Sequence, residues 1–107
     1  MAASDTARTV NVTTSSVFVD FPAEADFQKV APFDAAGVAI LWVQLDNSVG
    51  AASVGGDGCE RILPGDSSLI PWGYIQDAST GQRRPGRYMI TEVATASVNI
   101  VAAKGRV

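Results

Sequence analysis

Apolar and polar residues alternate with period two along much of this chain. Glycine, proline and short polar side chains break the alternation about every ten residues, which is the spacing of short strands joined by turns. In "VNVTTSSVFVDF" (10–21), Val10 and Val12 share one side. After the Thr-Thr-Ser-Ser break, Val17, Val19 and Phe21 share a side, with Phe18 and Asp20 opposite. "VAILWVQLD" (38–46) is the most apolar run. Its two faces, Val38/Ile40/Trp42 and Ala39/Leu41/Val43/Leu45, carry only Gln44 as a polar interruption. A strand apolar on both faces either sits centrally or turns one face to another chain. Trp42 in that run reads as core.

"CERIL" (59–63) alternates again, and "LPGDS" follows it. Pro64 presets φ at the second position of a turn and Gly65 accepts positive φ at the third, so a type II turn is expected there. "SLIPWGYI" (68–75) resumes as a strand. Pro71 has no amide for a ladder, which places that strand at a sheet edge or on a bulge. Trp72 and Tyr74 then share a side. "QDASTGQRRPGR" (76–87) reads as a long polar loop, and "YMITEV" (88–93) and "ASVNIV" (96–101) as the last strands.

Two segments are ambiguous. In 22–37, Ala23, Phe27 and Val30 fall at i, i+4 and i+7, Pro22 suits a first helical position and Pro32 ends the run. The pattern admits a short helix over 22–31 or an irregular loop anchored by Phe27 and Phe33. In the turn-rich 46–58, a short strand over 51–54 is an option. The expected fold is all-β: a single small antiparallel β-sandwich or barrel of seven or eight short strands over 10–107, behind a flexible N-terminal arm, 1–9.

Composition supports strands: the 107 residues include 13 Val and 6 Ile against 4 Leu, and β-branched side chains suit a pleated surface. Charged residues are 18% of the chain, against about 25% in typical domains, so much of the surface is uncharged or covered by a partner. The net charge of −3 divides into −6 over 1–60 and +3 over 61–107. Opposite-signed halves suit head-to-tail pairing between copies, unless folding interleaves them. No run approaches the ~20 apolar residues of a membrane helix, and the N-terminus lacks the apolar stretch of a secretory signal.

The chain has no histidine, which removes the commonest general base and metal ligand and every Ser-His or Cys-His arrangement within the chain. The single Cys59 reads as a strand cysteine rather than an activated thiol. Asp57, Glu60 and Asp66 lack calcium-loop spacing, and "GGDG" lacks the Lys-Ser/Thr of a phosphate loop. No enzyme activity, cofactor or metal is expected. "RRPGR" supplies Arg83, Arg84 and Arg87. Nucleic-acid binding needs a broader basic face with stacking aromatics, so a solvated loop or a contact with an acidic protein surface is the better fit. Trp72 and Tyr74 are the best candidates for an exposed aromatic patch.

The Thr/Ser/Val-rich opening strand, the apolar strand ending in "LDNS", the "LPGDS" turn and the closing "ATASVNIV" together resemble the small β-sandwich structural proteins of tailed phages. These are head decoration (cement) proteins and fibre-type modules. The resemblance implies a non-enzymatic virion protein on the capsid surface, present in many copies. It would bind the major capsid protein or other virion proteins as a symmetric homo-oligomer, commonly a trimer, without nucleic acid or membrane. The expected contacts are Trp72, Tyr74, Arg83, Arg84, Arg87, and the arm with Arg8. The alternative is a carbohydrate- or receptor-binding module of a phage fibre or tail, with Trp72 and Tyr74 as a stacking platform.

Overall fold

The computed structural model describes residues 7–45 and 51–103. They form nine strands: β1 Ala7–Val12, β2 Val17–Asp20, β3 Phe27–Phe33, β4 Ile40–Gln44, β5 Cys59–Ile62, β6 Ser68–Pro71, β7 Tyr74–Gln76, β8 Arg83–Glu92 and β9 Ala96–Ala103. All pairings are antiparallel. One sheet runs β1-β9-β3-β6 and the other β2-β8-β4-β5, with β7 also on β8. The fold is an all-β sandwich, and most successive strands change sheet.

The period-two pattern sets the core. Val12, Val30, Ile70, Val98 and Ile100 from the first sheet meet Val19, Leu41, Val43, Ile62 and Met89 from the second in one buried cluster. β4 lies between β8 and β5, the central place its apolar run requires. Trp42 differs from expectation. It points to the outer face of its sheet, half-buried, where its indole Nε1 donates to Glu92 Oε1 at 2.8 Å. Alternation from the buried Leu41 and Val43 forces it there. Part of that outer face is covered by a second small cluster, in which Ala52, Ile75 and Tyr88 are buried against Phe18, Cys59 and Ile90.

No helix occurs among the described residues, so 22–31 is not helical. Its second half is β3, whose Gln28, Val30 and Pro32 face the core. The i, i+4, i+7 spacing misleads because Ala23 precedes the strand, while Phe27 lies on the opposite face from Val30. Pro32 sits inside a strand without breaking the ladder. The β3–β6 pairing ends at Val30↔Ser68, and the Pro32 carbonyl faces that side, accepting from the Gly65 amide at 3.1 Å. The missing N–H therefore points where no strand partner remains.

The turn at 63–66 forms as its residues dictate: the Asp66 amide donates to the Leu63 carbonyl at 3.0 Å, with Gly65 at φ 91°. Pro71 closes β6, an edge strand, as expected. Residues 51–54 hold no strand; the Ala52 amide donates to Ser16 Oγ. The expected loop 76–87 is instead the β7–β8 hairpin, with its turn between Gln76 and Arg83. Arg83, Arg84 and Arg87 are strand residues. Residues 7–9 of the expected arm open β1, paired to β9 from Ala7↔Val101; 1–6, the 46–50 turn and the tail from 104 lie outside the described residues.

Candidate functional site

The chain leaves the first sheet at Pro71, passes through Trp72 and Gly73, and enters the second at Tyr74. That crossover brings together Trp72, Tyr74, Arg83 and Arg87 of the six residues singled out from the sequence, while Arg8 and Arg84 meet instead at Asp20. Trp72 packs on Phe21 with ring centroids 5.7 Å apart, and meets Tyr74 edge-on at 5.9 Å and 87°. The two rings are therefore not one flat platform. Tyr74 is 49% exposed and Trp72 half-buried.

The arginines take separate roles. Arg87 is only 5% exposed. It faces inward because β8 alternates and its neighbour Tyr88 is taken up by the outer cluster. Its guanidinium donates to the carbonyls of Pro71 (2.8 Å), Gly73 (3.1 Å) and Gly86 (2.7 Å), and lies over the Phe21 ring at 5.4 Å. Its Nε is buried with no hydrogen-bond partner among the described residues. Burial pulls its pKa below the ordinary value, yet a guanidinium keeps its charge. Gly73 leaves the room this needs, since a Cβ there would stand 3.0 Å from Arg87 Nη2.

Arg84 bridges two carboxylates, Asp20 at the end of β2 and Asp77 in the β7–β8 turn, and lies over the Phe18 ring at 5.1 Å. Asp20 raises its pKa most, followed by Asp77. The Asp77 carboxyl is held below its ordinary 3.8, first by the Ser79 hydroxyl and amide and then by Arg84. Arg83 is exposed and donates to the Tyr74 carbonyl at 2.9 Å. Arg8, exposed on β1, reaches the Asp20 carbonyl at 3.3 Å. Arg84 and Arg87 are thus committed to holding the fold, while Tyr74, Arg83, Arg8 and part of Trp72 reach the surface.

Sequence reasoning missed two features. The first is a groove of about 560 Å³ beside Trp72, lined also by Glu24, Ala25, Asp26, Phe27 and Pro71. It joins segments far apart in the chain, so no local pattern marks it. The second is the outer face of the first sheet. Register puts Thr9, Asn99 and Ala31 in one row and Asn11, Ser97 and Phe33 in the next. Lys29 is the one charged side chain at the outward positions of its four strands. Strand alternation combined with pairing order would have found it. Among the described residues no group of three or more His, Cys, Asp or Glu could hold a metal ion, and no helix is long and apolar enough to cross a membrane. No protein-family profile, no curated protein and no solved structure matches this chain.

Proposed function

We propose that this chain is a non-enzymatic virion structural protein of tailed-phage type, a decoration protein that lies on the capsid shell and ties neighbouring coat subunits together. The observation that carries the reading is the outer face of the β1-β9-β3-β6 sheet, where Lys29 is the one charged side chain among the described residues at the outward strand positions. Interface centres are depleted in charge relative to the rest of a surface. Small uncharged groups such as Thr9, Asn99 and Ser97 can lie against a flat shell without leaving a buried charge. Arg8 on the edge strand β1 supplies a basic group for acidic partner groups. Binding across subunits stabilises the shell because only the assembled state offers the whole site. The reading implies many copies per particle and a symmetric homo-oligomer, with trimers favoured on a capsid lattice.

The test is co-sedimentation of the purified protein with undecorated capsid shells from the same source. Saturable pelleting is expected. Asn99→Glu, which puts a charge in the middle of the face, should weaken pelleting at least about tenfold, with its melting temperature nearly unchanged. Failure of the native protein to pellet, or unchanged pelleting of the variant, overturns the reading.

A further inference from the structure

Among the described residues, β1 and β6 end one sheet and β2 and β5 the other. An end strand presents backbone donors and acceptors that no ladder uses. On β1 their direction follows from hydrogen bonds at the far side of its sheet. The Asp26 and Pro32 carbonyls accept from the Trp72 and Gly65 amides, on the β6 side, so the even-numbered residues of β3 turn to β6 and the odd-numbered ones to β9. Carried through Lys29↔Val101, Val30↔Ile100 and Arg8↔Ile100, this turns Ile100 to β1, and Arg8 and Val10 to β9. Ala7, Thr9 and Asn11 are left with N–H and C=O directed away from the sheet. Thr13 continues the alternation, and its carbonyl accepts from the Thr91 amide of β8 at 2.9 Å.

The other edges are interrupted. Arg8 takes the Asp20 carbonyl of β2, Arg87 the Pro71 carbonyl of β6 and Arg83 the Tyr74 carbonyl of β7, and the Cys59 amide of β5 donates to Gly56. β1 has neither proline nor glycine. Thr9 and Asn11 are exposed, and among the described residues no side chain reaches their backbone groups. The one charge on the strand, Arg8, reaches across to the other sheet.

We propose that β1 pairs antiparallel with β1 of a second copy of this chain, on a twofold axis through Thr9. Self-complementarity identifies the occupant. Thr9 on Thr9 with Ala7 on Asn11 is the one twofold register that uses all three outward residues of both strands, each exchanging both its backbone bonds. Threonine opposite threonine is a favourable cross-strand pair, and Arg8 falls opposite Val10 rather than its own copy. The pairing merges two four-stranded sheets into one. Edge pairing of six-residue strands buries little surface, so the dimer is weak, with a dissociation constant on the order of 10–100 µM. The contact is twofold, distinct from the threefold one that a capsid lattice favours, and does not depend on the capsid reading.

The test is sedimentation velocity of the full chain at concentrations up to about 1 mM. A reversible monomer–dimer equilibrium is expected. Thr9→Pro removes an outward amide and leaves the β1–β9 ladder its bonds, so the dissociation constant should rise at least about tenfold while the melting temperature stays near wild type. Thr9→Lys and Thr9→Glu should each weaken the dimer, and an equal mixture of the two should restore it, because the axis places residue 9 opposite its own copy. A monomer throughout, a trimer, an undiminished dimer in Thr9→Pro, or a mixture that dimerises no better than its components would each overturn the proposal. Solution mass and capsid co-sedimentation are separate readouts, so this contact and the capsid reading can fail independently.

Discussion

The Arg87 guanidinium donates to the Pro71 carbonyl at 2.8 Å, joining strand β8 of one sheet to the last residue of β6 in the other. It then takes the Gly73 carbonyl as well, so one side chain satisfies both carbonyls flanking Trp72. A crossover between sheets leaves backbone groups that no ladder pairs. Here a buried cation pairs them, and the same contact fixes where the Trp72 indole stands.

Arg87→Leu should therefore destabilise the fold by about 2–4 kcal/mol, since three carbonyls lose a charged donor and some stay buried. Arg87→Lys should recover part of this, because an ammonium lacks the planar fork. Urea denaturation measures both. Equal loss in the two variants would show that packing over Phe21, not donation to the crossover, is what matters.

Gly86→Ala should be among the most damaging small changes in the molecule. A Cβ at residue 86 would lie 2.2 Å from the Val19 carbonyl oxygen, within the β2–β8 pairing. Backbone on both sides leaves little room to yield, so a loss of about 3 kcal/mol or failure to fold is expected. Soluble yield and denaturant midpoint report it.

Val93 has φ 80° in the turn from β8 to β9 and is 72% exposed. A β-branched residue is strained there and loses no packing if replaced. Val93→Gly should raise stability by about 0.5–1 kcal/mol, seen as a higher melting temperature. A lower one would count against the turn geometry.

Asp34 and Asp77 both have carboxyls held below their ordinary 3.8, the first chiefly by the Val38 and Ala39 amides and the second by Ser79 and then Arg84. A depressed folded-state value means stability that is present above the unfolded pKa and is lost as pH falls through the folded one. Melting temperature should hold from pH 7 to about 5 and fall below about pH 4. Asp77→Asn should be less stable than wild type at pH 7, with a smaller drop between pH 7 and pH 3. An equal drop in both proteins would remove Asp77 from the acid response.

Much of this was legible residue by residue. Val98 and Ile100 are buried and Ser97 and Asn99 exposed, as alternation requires. The Pro64-Gly65 turn and the Pro71 edge followed from backbone constraints that act within four residues. The arginines were legible as a cluster but not as individuals. A run of charges looks like a solvated loop, yet Arg84 and Arg87 find their partners on β2, in the β7–β8 turn and at the crossover. The apparent helix over 22–31 failed because three apolar residues at helical spacing also occur by chance where a loop runs into a strand.

Sequence alone determined the class of fold and the faces of its strands, because period-two burial and turn chemistry are local and each residue reports on itself. Tertiary structure decided the rest: which strands pair, which arginine is buried, where Trp72 stands, and that Lys29 is the one charge at the described outward positions of its sheet's strands. Those depend on long-range pairing, in which a residue's role is set by neighbours brought from elsewhere in the chain.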